Sequence, residues 1–485
     1  MELIQRLELL IGKKSILDEN YDTLVKYFML PYKKSSTEVP AIGYWAVEQL
    51  AAFLHTSLTN PSMKWLVLKP VDKNDEKDST FMAWIQNVEE IIYDTYSSPE
   101  THFNNQIHEF YLELVVFGTA VLYLQEDINS PFGVSYKTIP VKECYIEEDF
   151  NGAVDGLVRE FTMTVKTLKG KFEVAEKALQ DKKDDQLEDV LHGVYKEEGK
   201  YISKYLLKSQ NLTLLEEQLN YFPYFVARWS KRAGDVYGIS PAMLALGEIK
   251  KLEQFEKILI KQAHYAIEPS WFLPSADVMH PVDRRPGGIN YYRSGAEKAY
   301  TMSGGGNIQI GETLLLKKTD SILKYFYIDH IQLDTKNNMT ATEVMQRMQQ
   351  HTKTMSPVTS RIETELLRPL VIKTFFVLSK IGKIEALGKT HQGDIKELKF
   401  EYISLLSKGQ KFEDLQAMYR VMEAIGVTAQ IQPNIIDNVN TDNYIRHVAS
   451  INNIPLDVLY DVKEVEKIRQ ERAKLIEQQT QKENV

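Results

Sequence analysis

Cysteine is almost missing from this chain: Cys144 is the only one. A single cysteine forms no intrachain disulfide, which suits a reducing compartment and removes disulfide-stapled scaffolds from consideration. Long apolar runs are missing too. No stretch of about 18 uninterrupted apolar residues occurs, so no transmembrane helix is expected. The N-terminus, MELIQRLELLIGKKS, has neither the basic start nor the small-residue cleavage site of a secretory signal. Positive charge is in short supply. With 58 Lys and Arg against 67 Asp and Glu, the net charge is −9, so any meeting with nucleic acid does not use an overall basic surface gripping phosphates.

Catalytic constellations are equally scarce. A phosphate loop needs two glycines five positions apart followed by Lys and Ser/Thr, because backbone amides must cradle the phosphates. IGKKS, at Ile11 to Ser15, has one glycine and sits between helical patterns. The run Gly304-Gly305-Gly306 is followed by no helix start, so it reads as a turn. His102 and His108 are six apart, the wrong spacing for one helical face, and no metal site is expected. Glu147, Glu148 and Asp149 suit a metal nuclease or a solvated strand end, and the second account is preferred. Nothing pairs a nucleophile with a base. No enzyme activity and no cofactor are expected.

What is present is a globular composition. The chain has 485 residues, 43% apolar and 26% charged, enough for two to four domains with cores of their own. The pattern predicts a mainly helical α+β protein. Trp45, Leu50, Phe53, Leu54 and Leu58 recur at helical spacing before a break at Asn60-Pro61, and Trp65 to Leu68 reads as a strand. Helices from Thr80 to Tyr96 and from about Thr101 to Val116 follow, then a turn at Gly118 and a strand from Ala120 to Gln125. Up to Trp229 the reading is an antiparallel sheet of short strands, interrupted by a helix from about Val165 to Gln180. Ser240 caps a long helix with Pro241 at its first position, ending at Ile267. Residues 268 to 315 are punctuated by Pro269, Pro274, Pro281 and Pro286 and by glycine runs. They read as a small β-rich excursion with strand-like pieces SWFLP, INYYRS and NIQIG. A shorter helical segment runs from Leu316 to Leu333, although Tyr325-Phe326-Tyr327 also suits a strand.

The longest periodic stretch runs from Thr340 to Gly382. Thr340 and Glu343 form a capping box, and Gly382 supplies the left-handed terminus. Val358, Ile362, Leu366, Leu370 and Phe375 mark one face, and Pro357 and Pro369 predict a bend. A bent rod of about 60 Å suits an assembly better than a catalytic pocket. Beyond Lys408, a helix bears Phe412, Leu415, Tyr419, Met422 and Ile425, and a second runs through Tyr444 to Ile451. The charged tail from Asp461 reads as a solvated helix fraying out.

In order and wording the chain resembles the portal (head-to-tail connector) proteins of short-tailed double-stranded DNA phages. The likeness is carried by AAFLHTSLTNPSMKW, FYLELVVFGTAVLYLQED, RWSKRAGDVYGISPAMLALGEIKKLEQ, TATEVMQRM with SRIETELLRPLV, and SKGQKFEDLQAMYRVMEAIG. The resemblance implies a dodecameric ring around a DNA channel, built from wing, stem, clip and crown. Mapped on this chain it implies a wing over 1–239, a first stem helix over 240–267 and a clip over 268–315. It further implies a second stem helix over 316–333, a channel loop over 334–339, a long kinked helix returning to the wing over 340–407, and a crown with tail over 408–485. Lys336, Asn337 and Asn338 would then lie nearest the DNA. Arg284, Arg285, Tyr291, Tyr292 and Arg293 would serve clip and adaptor docking, with Trp271, Phe272, Tyr291 and Tyr292 covered by neighbouring subunits. The implied partners are other copies of the chain, double-stranded DNA read without sequence preference, a terminase motor, a tail adaptor, and capsid and scaffolding proteins, with no membrane. The implied places are one vertex of the virion and, during assembly, the host cytoplasm. The competing function is a DNA-packaging ATPase or nuclease.

Overall fold

The computed structural model describes residues 2–29, 39–72, 75, 78–127, 130–275, 283, 285–293, 300–302, 308–328, 354–385, 398–402, 405–451, 459–460 and 464–472. The chain forms two compact units, residues 1–404 and 405–485.

In the first unit, helices α1 (Leu3–Phe28), α2 (Ile42–Leu58), α3 (Ser79–Ser97) and α4 (Phe103–Phe117) share one apolar core. On α2 the buried set Ala46, Val47, Leu50, Ala51, Leu54 and Leu58 follows the helical period that the sequence shows. IGKKS lies inside α1, so its amides are spent on helical hydrogen bonds and make no phosphate loop. Asp78 caps α3 by accepting from the Thr80 and Phe81 N–H groups. The chain leaves α4 at Gly118, in the left-handed region with φ 71°.

Next come β1 (Leu66–Pro70), β2 (Thr119–Glu126), β3 (Val134–Ile139), β4 (Cys144–Glu148), β5 (Val154–Thr164), β6 (Leu187–Glu197), β7 (Lys200–Leu207), β8 (Leu212–Leu219) and β9 (Tyr224–Arg228). Among the described residues β3-β2-β9 make one antiparallel sheet and β4 to β8 a five-stranded antiparallel meander. Strand β2 is central and covered on both faces, and its first four residues are all buried, so it reads as an apolar run and not an alternation. The single helix expected over Val165 to Gln180 is two, α5 (Val165–Lys171) and α6 (Glu173–Ala178). Between them Phe172 is extended, and its ring is buried with Val165, Leu168, Leu179 and Leu207. Seating that ring against the meander outweighs one continued turn of helix.

Helix α7 (Pro241–Ile267) starts as expected: Ser240 accepts from the Met243 N–H at 2.9 Å and donates to the Val116 carbonyl at 2.7 Å. Beyond it β10 (Ser270–Ser275) lies between β11 (Ile289–Arg293), which is parallel to it, and β12 (Tyr300–Met302), which is antiparallel. Of the expected strand piece NIQIG, residues 308–311 are helical and Asn307 lies outside the described residues. Helix α8 begins at Ile308 and ends at Tyr325 (Ile308–Tyr325). Gly311 lies against Leu259, and Lys318 pairs with Glu248, so α8 runs back antiparallel along α7. A Cβ on Gly311 would meet Leu259 Cδ2 at 2.3 Å, so the glycine lets the two helices approach. Phe326, in the turn after α8, is buried and packs 5.8 Å from Phe28, which settles the Tyr325-Phe326-Tyr327 ambiguity against a strand.

Helix α9 runs over 354–380 in three parts: α-helix over 354–362, a π turn at Glu363–Leu367, and α-helix again at Arg368–Lys380. The Arg368 N–H bonds to the Glu363 carbonyl, five residues back. The wider turn sits immediately before Pro369, whose missing N–H would break a regular ladder. The irregularity expected at Pro369 is therefore a π turn, and Val358, Ile362, Leu366, Leu370 and Phe375 stay buried across it. Gly382 closes the helix with φ 77°, its N–H on the Ser379 carbonyl and the Lys383 N–H on the Leu378 carbonyl. The capping box at Thr340 and Glu343 lies outside the described residues. A strand not foreseen, β13 (Leu398–Tyr402), pairs antiparallel with β1.

The second unit holds α10 (Leu405–Ala429), a 3-10 turn at Pro433–Asn438, α11 (Thr441–Ile451) and helical residues 464–472. Asp442 receives a two-pronged contact from Arg469 at 2.6 and 2.6 Å, tying the terminal helix to α11.

Candidate interaction surfaces

The β10–β12 excursion is built around Asn290. Its buried side chain accepts from the Asp283 N–H and donates to the Asp283 carbonyl at 2.8 Å, folding the 283–290 loop over the parallel pair. Arg285 clamps Asp283 through Nε and Nη2, at 3.0 and 2.8 Å, which holds the Asp283 carboxyl down at about 2. That exposed pair spends the Arg285 charge locally. Trp271 and Tyr291 are 47% and 49% exposed, with Ile289 beside them at 53%. Among the described residues nothing covers the exposed half of these rings. Of Tyr292 and Arg293 the structure gives strand positions alone, opposite Pro274 and Ser275. Arg284 lies outside the described residues, as do Lys336, Asn337, Asn338 and the whole of 334–339.

Apolar exposure continues along the α7–α8 hairpin, at Leu244, Ile258, Ile260, Ile267, Ile310 and Leu316. Ile267 is 78% exposed. Scattered exposed leucines need no explanation, but this series runs along one helical hairpin, with Leu244 and Ile258 on one side of α7 and Ile260 and Ile267 on the other.

One buried polar junction of the first unit is absent from the sequence reading. Arg228, at the end of β9, has a side chain 3% exposed. Its guanidinium reaches Glu365 through Nη2 at 2.6 Å and Nε at 3.2 Å, and Glu148 through Nη1. It also donates to the Gly152 carbonyl at 3.1 Å, while its backbone N–H bonds to Glu365 at 2.9 Å. Burial opposes the charge, but Glu365 and then Glu148 outweigh it and hold the guanidinium above its ordinary value. The π turn of α9 carries Glu365 into this position. The signal available was YFVAR, an apolar strand run ending in a charge that must find a carboxylate.

Glu147 and Glu148 are not a solvated strand end. Glu148 is also bonded by Lys231, Glu147 pairs with Arg6, and Asp149 accepts from the Asn151 and Ala153 N–H groups at 2.9 and 2.8 Å. The trio is committed to structural pairs. Among the described residues no cluster of His, Cys, Asp or Glu suits a metal ion. His108 lies 3.8 Å from Glu48 and its ring 5.7 Å from that of His55. Cys144 is buried, and burial pushes its thiol up to about 12, so it is inert. Among the described residues no helix is long and apolar enough to cross a membrane.

Comparison with known proteins supplies what no catalytic geometry does. A family model described as bacteriophage head to tail connecting protein matches residues 33–459. The chain belongs to that family. This connector is 25% identical to a probable portal protein of Bordetella phage BPP-1 over 470 residues, 91% of this chain and 83% of the relative. It is 23% identical to a portal protein of Salmonella phage epsilon15, with the same coverage of 91% and 83%. Among solved structures, a chain from the virion of a native gene transfer agent particle aligns with a TM-score of 0.43 at 10% identity. That alignment covers 84% of the connector and 89% of the other chain. The connector matches its relatives through both of its compact units.

Proposed function

We propose that this connector is a portal subunit: it closes with further copies of itself into a ring at one vertex of a phage capsid, through which DNA is packaged and later ejected. The observation that carries the reading is the family match across residues 33–459, joined by two portal relatives that each cover 91% of the chain. The exposed apolar series along α7, α8 and the β10–β12 excursion supports it, because head-to-tail contacts around a ring would bury such a surface.

On this reading α7 and α8 are the stem; the clip expected over 268–315 shortens to 268–307, because the second stem helix expected from Leu316 already begins at Ile308; α9 is the kinked helix behind the channel loop, and the second unit the crown. The wing takes in the two antiparallel sheets and α1 to α6. Twelve copies are proposed. Lys336, Asn337 and Asn338 face the duplex, and Tyr291, Tyr292, Arg284, Arg285 and Arg293 serve the clip, where a tail adaptor docks. A net charge of −9 suits a conduit, since a strongly basic lining would hold phosphates in deep wells and stop sliding. An ATP-driven terminase works from outside the ring, and capsid and scaffolding proteins surround it. The ring assembles in the host cytoplasm and ends in the virion.

Negative-stain imaging of the purified chain tests the reading: rings with a central hole are expected, and monomers alone across a wide range of salt and concentration would sink it. An ATP hydrolysis assay on the same material decides between conduit and packaging enzyme, with no turnover expected.

A further inference from the structure

Away from the apolar surfaces, positive charge converges on a cavity of about 420 Å³ between β9, the 151–154 turn and α9. Arg361, Glu365 and Lys373 line it from α9, Arg228 from the end of β9, and Lys231 from the loop beyond. Of these four cations, Arg228, Arg361 and Lys231 are met by two carboxylates, Glu365 on the lining and Glu148 behind it. Arg228 is fully committed to them and to the Gly152 carbonyl. The unspent capacity lies elsewhere. Arg361 gives one bond to Glu365 at 3.3 Å, and Lys231 one to Glu148.

Lys373 is the least satisfied. Its Nζ donates to the Tyr224 carbonyl at 3.1 Å and lies 4.4 Å from the Phe225 ring centre and 5.4 Å from that of Phe222. Among the described residues no carboxylate reaches it. An ammonium carries three donors, and a desolvated one without a counter-charge is costly. Lys373 keeps part of its surface open into the cavity, yet enough protein surrounds it that burial pushes its pKa down to about 7. A lysine kept for packing alone would gain from replacement by methionine. Placed on a cavity rim with other cations, it is suited to an arriving negative group.

We propose that this cavity is an oxyanion site, in which Lys373, Arg361 and Lys231 hold a carboxylate or a free tetrahedral anion at the junction of α9 with the sheets. The same chemistry has two sources: an acidic side chain of a second copy, or an inorganic anion from solution. The first source rests on the ring reading above; binding of an inorganic anion to the dissociated chain does not, so the two failures are distinguishable.

The test uses the full chain, dissociated and assembled, titrated calorimetrically with sulfate, whose charge is constant from pH 6 to 9. Sulfate is expected to bind the dissociated chain, more tightly at pH 6 than at pH 9, where Lys373 has lost its proton. Lys373→Met keeps the volume and removes a buried charge, so it folds; on the order of tenfold weaker binding is expected from the loss of one charge-assisted hydrogen bond. Arg361→Gln should weaken binding similarly while leaving the pH profile in place. Sulfate excluded from assembled rings, with slower assembly of Lys373→Met, assigns the site to a neighbour's carboxylate. Sulfate bound equally by chain and ring assigns it to a free anion. Equal binding by wild type and Lys373→Met, or no binding by the dissociated wild type at pH 6, overturns the proposal.

Discussion

Replacing Glu365 by alanine removes the acceptor that holds Arg228 in three places at once: the backbone N–H at 2.9 Å, Nε at 3.2 Å and Nη2 at 2.6 Å. The guanidinium cannot turn to water, because only 3% of its side chain is exposed. Breaking a buried pair by deleting one partner costs about 3–5 kcal/mol, chiefly because the remaining charge stays desolvated. Here Glu148 and the Gly152 carbonyl stay in place, so the lower end, about 3 kcal/mol, is expected for the first unit. Glu365→Gln keeps the shape and one acceptor oxygen, and should cost about half as much. Urea denaturation followed by tryptophan fluorescence reads the effect, with Trp229 adjoining Arg228 in the core. The companion double variant, Glu365→Leu with Arg228→Met, should recover most of the loss, since an apolar pair replaces a desolvated one. If Glu365→Ala unfolds within about 0.5 kcal/mol of wild type, the junction does not hold α9 to β9 and the reasoning fails.

Gly238→Ala should destabilise by about 1–3 kcal/mol in thermal denaturation, because its Cβ would lie 2.1 Å from the Gly118 carbonyl oxygen, a backbone atom. Gly12→Ala meets nothing within 4 Å in α1 and should instead stabilise by up to about 1 kcal/mol. Burial raises Glu113 from 4.5 to about 7, so between those values the folded chain holds a proton that the unfolded chain has lost. Stability from this group therefore falls as pH rises from about 4.5 to 7, by up to roughly 3 kcal/mol, and Glu113→Gln should flatten that slope in denaturation curves taken across the window. Lys336→Glu is expected to leave ring formation intact while lowering DNA retention in a packaging assay; wild-type retention would return that loop to an ordinary turn. Trp271→Ala and Tyr291→Ala, both at exposed rings, should change the melting temperature little but impair ring closure or adaptor capture in sedimentation.

Much of the order of elements is legible in the residues because local chemistry dictates it. Ser240 before Pro241 starts α7, Gly118 and Gly382 end helices in the left-handed region, and the period on α2 marks its buried face. Where the reading strays, distant packing has overruled local preference. Phe172 splits a helix to reach a pocket made by Leu207 and Leu214, residues far along the chain. NIQIG alternates like a strand, yet its residues 308–311 are helical, because the α7–α8 contact at Gly311 needs a helix there. LKFEY carried no strong strand signal, and becomes one by pairing with β1 more than 300 residues earlier.

By itself the sequence determined membership: the ordered wording of five segments points to the connector family before any coordinate is known. Composition and spacing act along the chain, and so report on elements and kinship. Which charges meet is decided across it. Arg228, Glu148 and Glu365 are separated by 80 and 137 positions, and nothing local in any of them announces the others. Only the folded backbone, with a π turn advancing Glu365 beside Pro369, brings these groups into one buried junction and leaves Lys373 beside it without a counter-charge among the described residues. Burial and charge pairing are properties of three-dimensional neighbourhoods, and those exist only once the chain has folded.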